Sequence, residues 1–192
     1  LMSNQWKGLL EIIHRYWHHY GGRTVLYTSP YVHISLFFTV CTIPFWLYKE
    51  WWSHSLAIIP SILGFTLGGF AVFLGYGSDK FRSIMAVEDE NGYSPYMEVV
   101  STFLHFVIVQ MLTLLLSLLA ISIDSITFLA ISQADRPILI TIIWLLLGGI
   151  GYGIFLYSLL LAFAVSFALY RLAYIYTKFE TKTVKQNNTK NT

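Results

Sequence analysis

Four stretches of this chain carry no charged side chain and are apolar over the length of a lipid bilayer, and that property decides most of what the chain can fold into. A transmembrane helix needs about 20 mainly apolar residues to cover a hydrocarbon core of roughly 30 Å. Between Arg23 and Lys49 the apolar part runs over 30–48, and between Glu50 and Asp79 over 55–77. Between Glu98 and Asp124 it covers 99–123, and between Arg136 and Arg171 it covers 137–170. The last exceeds what a bilayer requires, so it tilts, bends near its glycines, or continues as helix past the headgroups. Composition agrees: of 192 residues 56% are hydrophobic and only 11% charged, too few polar side chains to cover a soluble domain. One cysteine, Cys41 in an apolar run, excludes a disulfide scaffold. A formal charge of +2 gives no basis for direct nucleic-acid binding.

Orientation follows from the flanks, because Lys and Arg concentrate on the cytoplasmic side. Lys7, Arg15 and Arg23 precede the first span, Lys80 and Arg82 follow the second, and Arg171, Lys178, Lys182, Lys185 and Lys190 follow the fourth. Only Lys49 and Arg136 fall on the other side. Both termini and the 78–97 loop are therefore expected in the cytoplasm, with two short loops outside.

Residues 1–29 lack a short apolar core followed by a small-residue cleavage site, so no cleaved signal peptide is expected within them. Trp6, Leu9, Leu10, Ile13, Trp17 and Tyr20 instead recur at helical spacing opposite Lys7, Glu11, His14, Arg15 and His18. The pattern predicts an amphipathic helix ended by Gly21 and Gly22, lying on the inner leaflet or packed on a protein surface. Trp46, Trp51 and Trp52 are expected as interface anchors at the outer end, and Tyr170, Tyr174 and Tyr176 at the inner end. The polar stretch 178–192 is expected as a cytoplasmic tail, disordered from Thr181 onward. The expected fold is all-α: a four-span transmembrane domain over 30–177 plus an N-terminal amphipathic interfacial helix over 1–29.

Small residues let membrane helices approach, since lipid tails give helices no hydrophobic reason to associate. Gly64 and Gly68, with Gly69, Ala71 and Gly75, form such a face on the second span; Gly149 and Gly153 form another on the fourth. Either face serves packing within one subunit or contact between copies in a homo-oligomer.

Ionisable groups inside a membrane mark transport paths. Here His105 and Gln110 lie in the third span, His33 near the inner end of the first, and Asp124 at the outer end of the third. An offset of five places His105 and Gln110 on different helix faces, against a shared relay. A pore or switch role for either stands beside a plain hydrogen bond to a neighbouring helix. Glu50, Glu98 and Asp124 sit at span edges, which argues against a proton-coupled exporter with a deep carboxylate. A channel needs no buried charge, and Thr39, Thr42, Ser61, Thr66, Thr113 and Ser117 are available to line one. A facilitator for a small neutral solute is also compatible.

His14 and His18 stand four apart with His19 adjacent, but without a further ligand motif no metal or other cofactor is expected. No Walker loop, GxSxG or DxD cluster occurs, so no catalytic residues and no enzyme activity are expected. The 78–97 loop is the most partner-like element. Lys80 and Arg82 lie on an amphipathic exit from the second span, and Glu88, Asp89 and Glu90 form an acidic run before Asn91, Gly92 and Pro95. A run repelled by anionic lipid is free to meet a basic protein, or simply reverses the chain.

The segment IPSILGFTLGGFAVFLGYGSDKFRSIM, Ile59 to Met85, set in a four-span chain of this size with a polar tail, resembles the KwaA family, membrane subunits of the bacterial Kiwa anti-phage defence system. The resemblance implies a tetraspan homo-oligomer, a tetramer, that responds to phage infection at the bacterial inner (cell) membrane and works with a cytoplasmic DNA-binding effector of the KwaB kind. Two functions follow as expectations. One is a sensor or scaffold that couples an envelope event to a cytoplasmic partner through Lys80, Arg82, Glu88, Asp89 and Glu90. The other is a pore-forming effector that depolarises the membrane.

Overall fold

The computed structural model describes residues 2–75, 77–90, 92–130 and 138–190. Among the described residues there are eight helices and no strand: α1 (Met2–Tyr20), α2 (Gly22–Thr28), α3 (Pro30–Cys41), α4 (Ile43–Tyr48), α5 (Trp51–Gly75), α6 (Asp79–Met85), α7 (Pro95–Ala130) and α8 (Ile138–Lys190). Expectations that rest on Asn91, Arg136 or Pro137 lie outside the described residues.

Three helices are long and apolar enough to cross a membrane, within Trp51–Gly75, Pro95–Asp124 and Trp144–Lys185. A fourth pass exists if α2 and α3, bent by 48° at Ser29, count as one span. The chain is thus an all-α membrane protein, as its sequence implies. The first apolar run is not one helix over 30–48. Pro30 lacks an N–H and pushes Ser29 to an extended conformation (φ −64°, ψ 122°), which separates α2 from α3. Pro44 cannot donate to the carbonyl of Val40, and the helix breaks again at Thr42. The Trp46 indole N–H donates to the Thr39 carbonyl at 2.9 Å, supplying a partner at the break.

α7 runs antiparallel to α5 and α8 and packs on both. Its inner seam repeats at a spacing of three and four: Phe103, Phe106, Gln110, Thr113 and Ser117, all fully buried. On α5, Trp52, Ser55, Ile59, Thr66 and Phe73 turn inward, and on α8 Tyr152, Phe155, Ser158, Leu161 and Val165. α3 packs along α8 on its other side. The apolar outer surface, Phe65 and Val72 of α5 and Phe163 and Phe167 of α8 among it, faces lipid in this reading.

Trp51 and Trp52 are not interface anchors. Trp51 is 1% exposed and lies against Gly151, Tyr152 and Phe155. Gly151 leaves the room that the indole fills. Tyr170 and Tyr174 are exposed, while Tyr176 meets Phe81 edge-on at 5.0 Å. α8 has 53 residues, about 80 Å at 1.5 Å per residue, so the long fourth segment continues as helix beyond any bilayer. The tail expected to be disordered is helical as far as Lys190. No Gly or Pro follows Gly153 to stop the helix, and Phe179 packs on Phe81 at 5.5 Å.

Candidate functional site

Several polar and titratable groups gather at the end of the bundle where α1, α6, the start of α7 and the extension of α8 meet. α1 stops at Gly21, whose φ of +96° only glycine adopts readily, and its C-terminal half lies against α7. From it Tyr16 reaches His105 of α7: the phenol oxygen stands 2.6 Å from the imidazole Nδ1. The other ring nitrogen, Nε2, lies 2.9 Å from the phenol oxygen of Tyr157 on α8. Tyr20 stacks on the same imidazole, with ring centroids 4.1 Å apart. A neutral imidazole has one donor and one acceptor nitrogen, and the two phenols satisfy both. His105 therefore joins α1, α7 and α8. Its partners are two tyrosines, Tyr157 on the neighbouring α8 and Tyr16 on α1, so a plain hydrogen bond to a neighbouring helix is present. Burial, with the neighbouring Tyr20 phenol as a lesser cause, pushes the Tyr16 phenol well above its ordinary value. Burial also raises that of Tyr20.

The docking is partial. The N-terminal half of α1 leaves Trp6, Leu9, Leu10 and Ile13 exposed on the stripe whose C-terminal part meets α7. α1 is thus both interfacial in pattern and fixed to the protein at one end.

Beside Tyr20 lies a groove of about 720 Å³, bounded by His19 to Val25 on one wall and by Ile84 to Glu98 on the other. Glu88 and Asp89 line it, together with Glu98 from the first turn of α7. The acidic run is only partly free. One Asp89 carboxylate oxygen accepts the Tyr93 N–H at 2.8 Å, and the Asp89 N–H donates to the Tyr93 carbonyl at 2.8 Å. These bonds, with Gly92 at φ +75°, close the turn that leads into α7. Ser94 then caps α7 by accepting the Met97 N–H at 3.1 Å. Glu98 faces Arg171 at 3.6 Å, a solvent-exposed pair of small energetic weight. Glu90 and Lys80 are exposed. The Arg82 guanidinium pairs with Asp79 and donates to the Leu74 carbonyl at 3.2 Å, capping the end of α5. Of the five residues expected to meet a partner, two line the groove.

Gln110 is 0% exposed, and both its amide atoms lack a hydrogen-bond partner. Five residues from His105, it faces the core as His105 does, because α7 is packed on several sides, but the two do not bond. Along the seam the Thr113 hydroxyl donates to Val109 and that of Ser117 reaches Ser55 of α5 at 2.8 Å. Hydroxyls considered above as pore-lining, Thr66, Thr113 and Ser117, are thus buried within one subunit, whereas Ser61 is exposed.

The two glycine faces differ. A side chain at Gly149 would meet Trp46, one at Gly151 would meet Trp51 at 2.7 Å, and one at Gly153 would meet Thr39. The fourth-segment glycines therefore seat α3, α4 and the start of α5. Around Gly64, Gly68 and Gly69 nothing lies within 4 Å of an added Cβ. Gly68 and Gly69 border an apolar groove of about 610 Å³ between α5 and α8. Among the described residues no group of three or more His, Cys, Asp or Glu converges as a metal site.

Fold and site together define an all-α membrane protein with a groove and a buried His–Tyr junction at one end. Compared with known protein families, curated proteins and solved structures, the chain gives no match.

Proposed function

We propose that the chain is an oligomeric sensor or scaffold of the bacterial inner membrane, with both termini in the cytoplasm, that couples an event at the envelope to a soluble partner. The observation that carries the reading is the position of Tyr20. It lines the groove at the α1 end and stacks at 4.1 Å on His105, which bonds Tyr157 of α8. An occupant of the groove and the packing of two membrane helices share one side chain, the kind of physical link that coupling requires. The surplus of Lys and Arg at this end supports the cytoplasmic assignment. The resemblance to KwaA subunits extends the proposal: the event is phage infection, the oligomer a tetramer, and the partner an effector of the KwaB kind. Burial of Thr66, Thr113 and Ser117 inside one subunit removes much of the lining that a pore between copies was expected to use, which weighs for the sensor over the pore-forming effector.

Native mass spectrometry of the protein, mildly extracted from its own host with neighbouring genes intact, tests this. A soluble polypeptide at fixed stoichiometry, lost on Tyr20→Ala while the oligomer persists, is expected. A lone oligomer that conducts ions in planar bilayers would overturn the reading in favour of the pore.

A further inference from the structure

We infer that the groove beside Tyr20 binds a cationic polypeptide segment of a protein partner, with arginine beside an apolar anchor; this deepens the sensor-or-scaffold reading and rests on it for the partner. The lining holds three carboxylates, Glu88, Asp89 and Glu98, and no lysine or arginine. The hydrogen bond from the Tyr93 N–H holds the Asp89 carboxylate in place, so part of this charge is fixed in position before anything binds. Between the acids the wall is apolar, from Val25, Ile84 and Val87. Tyr20, one face of which is stacked on His105, and Tyr93, tilted against His18 at 4.7 Å, add aromatic rings to the lining, and a guanidinium stacks on such rings better than an ammonium does. Arginine also meets a carboxylate through two parallel hydrogen bonds. Glu98 is engaged by Arg171 only at 3.6 Å with both ends exposed, so an incoming guanidinium exchanges with it at little cost.

The same chemistry weighs against an anionic lipid occupant. An acyl chain would suit the apolar wall, but its phosphate would face three carboxylates. Of the grooves described, the apolar one between α5 and α8 has no charged lining and carries no such selection.

The test uses the full chain in nanodiscs of phosphatidylcholine, which offers no anionic lipid to compete. The probe is a fluorescent peptide of alternating arginine and leucine, with a glutamate and leucine peptide as control, read by anisotropy at two salt concentrations. The arginine peptide is expected to bind, more weakly at high salt, and the control not to bind. Glu88→Gln is expected to weaken binding about two- to five-fold, the span of a partly exposed ion pair. Glu88→Lys is expected to weaken it further. Glu88 is exposed, so these variants leave the helices intact, checked by circular dichroism. Equal binding of both peptides, or no effect of Glu88→Lys, overturns the inference. In that event a soluble partner that still co-extracts leaves the sensor reading standing. Absence of any soluble partner beside charge-selective peptide binding sinks the sensor reading while the chemistry of the groove stands.

Discussion

Alanine at Gly151 and alanine at Gly68 should act in opposite directions, although both glycines sit in helical segments and both belong to small-residue patterns. At Gly151 the new Cβ would stand 2.7 Å from two atoms of the Trp51 indole, about an ångström inside normal contact. Trp51 is 1% exposed, wedged between Trp52, Tyr152 and Phe155, so the ring has nowhere to go. Overpacking of this kind costs about 1–3 kcal/mol. Gly149→Ala should cost less, because its contact is 3.2 Å and Trp46 is only half-buried. At Gly68 nothing lies within 4 Å, so the methyl group meets no wall and the helix gains about 0.5–1 kcal/mol of backbone preference. The assay is unfolding in mixed micelles by rising dodecyl sulfate, followed by tryptophan fluorescence and far-ultraviolet circular dichroism at high dilution. Gly151→Ala should then unfold first and Gly68→Ala last. If Gly151→Ala matched the wild type, or Gly68→Ala lost stability at a dilution where only single subunits exist, the packing argument would be wrong. A loss at Gly68 that grows with protein concentration has a separate meaning: a second copy covers the α5 face.

Gln110→Met should raise stability by about 1–3 kcal/mol, the cost of a buried unpaired polar group; a loss in the same micelle titration would mean that water or a ligand satisfies the amide. Tyr16→Phe removes the bond to His105 and should loosen α1 by about 0.5–1.5 kcal/mol, read as faster trypsin cleavage at Lys7 and Arg15. The raised Tyr16 value gives the pH sign: its contribution is fully present below about pH 10, the ordinary phenol value, and is lost as pH rises through the raised value in the folded protein. Release of α1 on alkaline titration should therefore flatten in Tyr16→Phe, and an unchanged profile would count against the junction. Arg82→Ala should cost less than about 1 kcal/mol by uncapping α5 and leave binding of an arginine peptide unaltered; abolished binding would restore Arg82 as a contact residue.

The class of protein and three of its spanning segments were legible from charge-free length alone, because a bilayer imposes that length on any chain. The interruption of the first run was not, although its causes stand in the sequence as Pro30 and Pro44: prolines are tolerated in membrane helices when other groups take up freed carbonyls, and the sequence does not show that the Trp46 indole bonds the Thr39 carbonyl beside the Pro44 break. Trp51 and Trp52 misled for a related reason. Tryptophan at a span end is usually an anchor, and only the three-dimensional position of Gly151 turns Trp51 inward. Glycine spacing marked two faces without saying what each meets. Of the junction, His105 and Tyr20 stood out as an embedded imidazole and an apolar-face residue, but nothing in the spacing paired either with Tyr16 or Tyr157, which lie 89 and 52 positions from His105. The acidic run read as free charge because a turn that uses Asp89 internally has the same composition as one that does not.

What ties the site to the membrane is the gradient along α7. In its C-terminal half Ser117 bonds Ser55 of α5, an interhelical contact worth roughly 0.6 kcal/mol in a membrane. In its N-terminal half His105 holds Tyr16 and Tyr157, each bond contributing about 0.5–1.5 kcal/mol. Between them Gln110 subtracts about 1–3 kcal/mol, since its amide has no partner in this arrangement. These polar terms are of similar size and nearly cancel, so the apolar packing of Phe103, Phe106 and Val109 holds α7 while its hydrogen bonds set its rotation. A small rotation of α7 that found Gln110 a partner would recover what breaking the Tyr16 bond costs. Under the proposed coupling an occupant of the groove that Tyr20 lines would bias that balance, because Tyr20 is stacked on the same imidazole. On this argument Gln110→Met and Tyr16→Phe act on one equilibrium from opposite sides: the first should fix α7 where it is, the second should release it, and their effects on stability should fail to add.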